Sequence, residues 1–479
     1  MSGGDCNGAG RLSSRGAQLA AEEPSLYYRG LGFARENPYD ARTRPDGVIQ
    51  LGLADNKLSL DLISDRLQRE MPVVDATSAY GEFHGDMPFR QAMAAFMSHA
   101  LNLSQKSTQE HTEGRLSACD EEPFNRSQPL SIDPDSLVIT SGATAAVGLL
   151  AHVLADAGDA FVVPTPYYPG FTVDLERQAG VTIIPAATYS DSGFDISTSS
   201  LEAALRESQG EGGDEQEEPR QGGGGAEDEG RAERSRGRGR RRKVRGVLLS
   251  SPSNPLGCTF SNTTLLNVLH FCRKNCLHLI SDEIYAGSVY NGDGFTSLLR
   301  LAEPRDYPFL HIVYGPSKDL GIPGFRIGAC YSLNPAVQSA ITKLARFCSP
   351  SRHTQALLAP LLSDSLFAQA YLSENQCRLR KASSTAQEAL LQIGVKCLPG
   401  SNAGVFLWCD FRQFISPKNS IRGEEDFFLR LLRQGGVNIT PGGACGCCEP
   451  GWFRLCFAGS PKEELQLAID RISRTLLQS

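Results

Sequence analysis

From Ser136 onward the apolar positions of the chain fall into short unbroken runs separated by longer stretches with helical spacing. The runs are "SLVIT" (136–140), "AFVVPTPYY" (160–168), "VRGVLLSSP" (244–252), "LHLISDEIY" (277–285), "PFLHIVYGPSK" (308–318) and "FRIGACYS" (325–332). Between them lie helical patterns such as "GATAAVGLLAHVLADAG" (142–158) and "TLLNVLHFCRKN" (264–275). Strands without apolar/polar alternation, spaced by helices, predict an α/β fold with a mostly parallel sheet covered on both faces. Ligands of such sheets sit at the carboxyl ends of the strands. That rule gathers "SPSNP", "SDEIY" and "GPSK" at one edge, although they are far apart in sequence.

After residue 333 the texture changes. Helical stretches ("SAITKLARFC", "SSTAQEALLQIG") are followed by short strands ("AGVFLWCDF", "WFRLCFAG") and a closing helix from Lys462. The expected organisation is an N-terminal arm over residues 1–50, a large domain over 51–333 and a smaller α+β domain over 334–479. Of the arm, residues 1–25 are expected to be disordered and the rest to join the small domain. Two polar, aperiodic segments, 104–130 and 208–243, read as disordered insertions within the large domain. The second runs from acidic through glycine-rich to "RGRGRRRK", and its acidic half can neutralise the basic tract in cis.

A chain of 479 residues, 41% of them hydrophobic, can bury a large core. Its net charge of −7 argues against a general nucleic-acid or anionic-membrane surface, so a small-molecule partner is expected. No signal-peptide core opens the chain and no apolar stretch reaches the ~18 residues of a membrane span, which points to the cytoplasm. The 14 cysteines then read as reduced thiols. Cys445, Cys447 and Cys448 in "GGACGCCEP" are too crowded for a paired zinc-ligand pattern, and no metal is expected.

The window "VYGPSKDLGIPGFRIG" (313–328) sets Lys318 in a loop too glycine-rich for helix, between two apolar strands. A lysine amine there can form an imine with an aldehyde cofactor. Pyridoxal 5'-phosphate needs such a lysine, an anion beside its ring nitrogen, donors to its ring oxygen and a cradle for its phosphate. Asp282 in "SDEIY" suits the ring nitrogen, because a carboxylate there keeps the nitrogen protonated and the ring electron-withdrawing. Tyr285 and Asn254 are candidate donors to the ring oxygen. Gly142, Ala143 and Thr144 open a predicted helix, whose free amides and dipole attract anions. Arg326 adds a fork that can bind phosphate in a bidentate way, and Ser317 beside the lysine completes the cofactor set. Each position also has a bland reading: a turn lysine, a helix cap after a strand, an Asn-Pro turn.

With these residues quoted, the sequence resembles the fold-type I pyridoxal-phosphate enzymes of the class I/II aminotransferase family, whose large domain is aspartate aminotransferase-like. Within it, the sequence is most similar to the 1-aminocyclopropane-1-carboxylate synthases and their animal synthase-like relatives. The stretches that carry the likeness are "PYDARTRPDGVIQLGLADNKLSLDL", "FHGDMPFRQAMAAFM", "LADAGDAFVVPTPYYPGF", "SSPSNPLG", "ISDEIY", "SKDLGIPGFRIG" and "CEPGWFRLCFA".

The resemblance implies that Lys318 holds the cofactor covalently and later moves the Cα proton, with Asp282 and Tyr285 beside it as catalytic groups. It implies that Arg454 grips the substrate carboxylate, a role suited to a planar guanidinium, and that Tyr168, or else Tyr167, stacks on the ring. Tyr27 matches an arm tyrosine that in the synthases reaches the partner subunit's site, so a homodimer is expected. Three positions depart from the synthases: Phe83 stands for a tyrosine, Asp55 for a glutamate near the substrate, and Gly315 for a serine that donates to the phosphate. The leading expectation is an enzyme acting at Cα of an L-amino acid by deamination, elimination or transamination. A genuine synthase using S-adenosylmethionine and a non-catalytic regulatory homologue are the alternatives.

Overall fold

In the computed structural model of the protein, the described residues are 12–69, 72, 74–103, 130–210, 242–292, 294–302 and 307–477. The described strands are β1 (Ile49–Gln50), β2 (Leu137–Thr140), β3 (Ala160–Pro164), β4 (Thr182–Ala186), β5 (Val244–Ser250), β6 (His278–Asp282), β7 (Leu310–Tyr314), β8 (Gly328–Ser332), β9 (Lys396–Cys397), β10 (Phe406–Asp410), β11 (Val437–Asn438), β12 (Thr440–Pro441) and β13 (Trp452–Cys456). Seven of them form one sheet in the order β2-β8-β7-β6-β5-β3-β4. β3, β4, β5, β6 and β7 run parallel, and β8 is antiparallel to both its neighbours, β7 and β2.

Alternation in the pleat sends successive side chains to opposite faces, and both faces are apolar here. Leu279 and Ile312 join the core on one side, with Phe96, Val268 and Leu361. Ile280, Val313 and Leu248 join the core on the other, with Val147, Leu150 and Ile341. This double burial is why the strands read as continuous apolar runs. β4 was not among the predicted strands; it is an edge strand whose residues are only partly buried, so its apolar signal is weaker.

A second sheet has the order β12-β13-β10-β9, and β1 pairs in parallel with β11. Their core gathers Phe406, Phe411, Phe427, Phe453 and Leu455, with Ile49 from the N-terminal arm and Leu51 just after it. The divide between the two cores falls later than the predicted position after 333. Val337 and Ile341 of helix Pro335–Leu344, and Leu358 and Leu361 of helix Arg352–Ser363, pack with the large sheet. The 28-residue helix Ser365–Gln392 bridges both cores: Ala368, Tyr371 and Leu372 face the large sheet, Leu379, Ala386 and Leu390 the small one.

The arm is more ordered than the sequence suggested. Ser14–Ala21 is an exposed helix capped by the Ser13 hydroxyl, and Leu26–Glu36 packs Tyr27 and Ala34 inward. Residues 1–11 lie outside the described residues, as do nearly all of both predicted insertions. The flanks of each insertion meet: Leu130 N donates to Leu103 O at 3.4 Å and Arg242 N to Ser208 O at 2.9 Å. Among the described residues, no helix is long and apolar enough to cross a membrane.

Candidate active site

The carboxyl ends of β5, β6 and β7 are adjacent. Ser250 is in register with Asp282, and Asp282 with Val313. Ser251 N donates to Asp282 O at 2.9 Å and Glu283 N to Val313 O at 2.8 Å, so the three exits are tied together. Asp282 ends β6, Tyr285 follows on the next turn, Asn254 follows β5 and Lys318 follows β7.

Lys318 does not sit in a plain loop. Pro316–Asp319 is one helical turn with Gly315 at its N-cap. Proline at the first position pre-sets the helical φ, and this local gain outweighs the glycines around it. The turn is held by Asp319, whose buried carboxylate accepts from Gly287 N at 2.9 Å, Ser288 Oγ at 2.6 Å and Tyr314 Oη at 2.7 Å. From the other side Asn56 Nδ2 donates to Lys318 O at 3.3 Å and to Asn375 Oδ1 at 3.0 Å. The Lys318 amine is aimed at the carbonyl of Ala54, to which Nζ donates at 2.5 Å. Burial lowers its pKa, partly countered by the charge of Asp55, while Arg454 and Arg326 push the same way as burial.

Asp282 is buried and accepts one hydrogen bond among the described residues, from Ile284 N at 3.3 Å. Burial pushes its pKa up to about 7, against the pull of that amide and of the Lys318 charge. A second buried carboxylate, Asp174, lies within its field; burial and then the Asp282 charge push it up to about 8. Two buried carboxylates that make no ion pair among the described residues suit a positively charged ring nitrogen, which would favour their ionised forms. Asp174 was missed by sequence reasoning: six positions after Tyr168, in "GFTVDLERQ", it reads as an ordinary exposed acid.

Arg454 is fully buried. Its Nη1 donates to Asn254 Oδ1 at 2.7 Å, and its Nη2 to Gly52 O at 2.7 Å and Thr440 Oγ1 at 3.2 Å. Its Nε has no hydrogen-bond partner among the described residues. A buried guanidinium with an orphaned donor and no carboxylate partner is unusual enough to mark an anion site. The Phe406 ring lies 5.2 Å from its Cζ, and the Tyr27 ring 5.8 Å. Tyr27 was expected at a partner subunit's site; here it lies over Arg454 of its own chain, because helix Leu26–Glu36 turns it inward.

At the other end of the site Gly142 has φ +94°, and a Cβ there would stand 2.6 Å from Arg326 Nη2. Arg326 itself donates from Nη2 to Ser141 O at 3.2 Å, so its guanidinium lies against the start of helix Ala143–Leu154. Ala143 and Thr144 carry amides with no intrahelical acceptor. Ser317 Oγ donates to Ile327 O at 3.4 Å. A Cβ at Gly315 would approach Ile327 O to 2.7 Å, which explains the glycine by space.

Of the two tyrosines, Tyr168 faces this group: Tyr27, Asp174 and Arg454 all act on its hydroxyl, whose pKa burial raises. Tyr167 turns away beneath residues 445–446, with its N–H on Cys445 O at 2.8 Å and its ring against Gly446. Tyr285 is buried with its ring edge-on to Phe406 at 5.3 Å. Asp55 is at the lysine end, its carbonyl accepting from Cys456 Sγ at 3.3 Å. Phe83 is not brought into this group. Its ring is 41% exposed beneath the Arg346 guanidinium at 5.3 Å, because Asp86, held by Arg352 at 2.8 Å, fixes the 82–86 turn outward. Among the described residues no cluster of His, Cys, Asp or Glu could hold a metal, and burial raises Cys445 to about 12.

A lysine amine beside a buried carboxylate at the edge of the large sheet, a helix start next to an arginine, and a buried arginine facing them from β13 are the groups that the pyridoxal-phosphate class of enzymes needs. The chain belongs to the aminotransferase class I and II family, which matches residues 48–472. Among curated relatives it is 38% identical over 481 residues to 1-aminocyclopropane-1-carboxylate synthase 8 of Arabidopsis thaliana, covering 97% of this chain and 91% of that one. It is 37% identical over 480 residues to synthase 3 of Oryza sativa subsp. japonica, covering 96% and 94%. Among solved structures, aspartate aminotransferase from Thermus thermophilus with maleate superposes with a TM-score of 0.71 at 20% identity, over 99% of this chain and 100% of that chain. A Pyrococcus protein titled protein-A1 gives 0.72 at 18%, over 97% and 99%. The fold is therefore the aspartate aminotransferase-like fold, and family membership implies pyridoxal phosphate as cofactor.

Proposed function

We propose that the protein acts at Cα of an L-amino acid, by deamination, elimination or transamination, with Lys318 as the residue that binds the cofactor aldehyde. The observation that carries this is the half-buried Lys318 amine beside Asp282 at the carboxyl edge of the large sheet, with Arg454 of β13 reaching the same edge through its bond to Asn254 and keeping its Nε unpaired among the described residues. When bound, pyridoxal phosphate supplies an electron sink for the pair released at Cα. Gly142, the amides of Ala143 and Thr144, Ser317 and Arg326 would hold its phosphate. Asp282 would keep the ring nitrogen protonated, Asn254 and Tyr285 would donate to the ring oxygen, and Tyr168 would stack on the ring.

Arg454 binds the substrate carboxylate and so fixes which face of Cα meets Lys318. The lysine, with its pKa lowered by burial, gives up its proton more readily than an exposed one and takes the Cα proton as a general base. Asp55 beside it favours the charged form that returns the proton. The experiment is spectral titration of the cofactor-loaded protein with a panel of L-amino acids and S-adenosylmethionine. A band that shifts with an amino acid supports the reading; a band absent even with added cofactor favours the non-catalytic homologue.

A second reading, a genuine 1-aminocyclopropane-1-carboxylate synthase, is favoured by the identity to the plant enzymes over nearly the whole chain. Ring closure requires the sulfonium carbon to sit where the Cα carbanion can displace it, and about 1 Å of misplacement costs roughly a hundredfold. Asp55, one methylene shorter than glutamate, and Phe83, without a hydroxyl, both bear on that placement. Abundant cyclopropane product from S-adenosylmethionine would establish the second reading over the first.

We also infer a homodimer. Tyr80, Phe83 and Phe347 are 94%, 41% and 80% exposed, and the first two rings lie 6.3 Å apart. This apolar face borders the phosphate cradle, since His84 O accepts from Ile139 N and Cys348 O from Ser141 N. A second copy covering it would bring Phe83 towards the neighbouring site. Light scattering should return twice 51.8 kDa, and a monomer would contradict the inference.

A further inference from the structure

Cys397 and Cys409 are cross-strand partners on β9 and β10, and their sulfurs stand 3.8 Å apart. One register step away, Leu398 N donates to Trp408 O at 2.7 Å. The cysteines therefore occupy the non-hydrogen-bonded position of an antiparallel pair, where Cα atoms approach to about 4.5 Å, within the span a disulfide needs. β9 is a two-residue strand at the edge of its sheet, so among the described strands it is hydrogen-bonded to β10 alone. Cys397 is half-buried and reachable from solvent, whereas Cys409 is buried.

We propose that this pair is a thiol-oxidation site, converted to a Cys397–Cys409 disulfide by a small-molecule disulfide such as oxidised glutathione. The Cys397 thiol loses its proton and attacks one glutathione sulfur; the S–S bond breaks and the first glutathione leaves as thiolate. Cys409 then loses its proton and attacks the Cys397 sulfur, releasing the second glutathione. Two S–H bonds become one S–S bond, and the two electrons reduce the glutathione disulfide to two thiols. Burial holds the Cys409 thiol well above its usual pKa, with the neighbouring Cys397 sulfur adding to the shift, so the second step is the slow one.

The bond would close a loop that carries Asn402 and Ala403, whose amides both donate to Gly257 O at 2.9 and 3.0 Å. Gly257 lies three positions from Asn254, so the staple would fasten the connection between the small sheet and the candidate site. The inference does not depend on the proposed reaction.

The test is to equilibrate the full-length protein with oxidised glutathione at about pH 8, where thiolates are populated, then alkylate and map the peptides. The exposed Cys276, Cys377 and Cys448 report that the oxidant has reacted. The expected result is one crosslinked peptide joining residues 397 and 409 in most molecules. In Cys409→Ser, Cys397 should instead remain as a glutathione adduct. Cys397→Ser, at the half-buried position, should abolish the crosslink without a core change and guards against a folding defect in the first variant. Recovery of both cysteines alkylated, or of a persistent adduct on wild-type Cys397, while the exposed thiols have reacted, would overturn the proposal.

Discussion

Lys318 differs from a surface lysine in the cost of carrying its charge. Burial disfavours the ammonium form, and two arginines add to that, so its amine is more nucleophilic at neutral pH than an exposed one. Lys318→Ala should abolish the visible band of the cofactor-loaded protein, and retention of the band would exclude this residue as its origin. Arg454→Gln removes a charge-assisted contact worth roughly 1.5–3 kcal/mol, so KM for the carboxylate substrate should rise about ten- to a hundredfold; steady-state kinetics check this. Lys318, Asp282, Asn254 and Arg326 stand out in the sequence as polar residues at or near strand ends, and Arg454 as a lone charge inside an apolar strand. Asp174, the Ala54 carbonyl and the Tyr27–Arg454 contact do not, since they depend on burial and on segments hundreds of positions apart. The role of Phe83 came from the resemblance alone; within one chain the Asp86–Arg352 pair holds its turn, and the ring lies on the surface.

At the scale of elements, the proposed phosphate site at the start of helix Ala143–Leu154 needs Gly142 twice. Its φ of +94° is one that side chains rarely adopt, and a Cβ would strike the Arg326 guanidinium. Gly142→Ala should therefore weaken cofactor affinity by about tenfold or more while leaving the rest of the sheet folded, as an equilibrium titration with pyridoxal phosphate would reveal. An unchanged affinity would remove the cradle from the account. The strands of the large sheet were readable because burial on both faces leaves no polar interruptions. The single turn at Lys318 was not, because proline at its first position and the Asp319 bonds outweigh the local glycine content. Helix Ser365–Gln392 hid the divide between the cores: one continuous helix changes partner midway, with no break in its sequence to announce it.

At the scale of the whole molecule, the ends of the strands opposite the proposed site carry a buried polar chain. His278 Nδ1 lies 3.0 Å from His311 Nε2, and His311 Nδ1 lies 2.9 Å from Ser332 Oγ. Burial depresses His278 to about 4, helped by Arg245, and His311 to about 3, helped by His278. The unfolded chain binds protons near pH 6.5 where the folded one does not, so this contribution is present above that pH and is lost as pH falls towards 4. Wild type should lose about 2 kcal/mol more than His311→Asn between pH 6.5 and 4.5, measured by denaturant unfolding at each pH. Because Ser208 and Arg242 are already hydrogen-bonded, replacing residues 211–241 with a short glycine-serine linker should leave the melting temperature and cofactor binding nearly unchanged. The most direct test of the account is borohydride reduction of the pyridoxal-phosphate-loaded protein followed by peptide mapping. It predicts a phosphopyridoxyl group on Lys318 alone; a label on another lysine, or none at all, would contradict it.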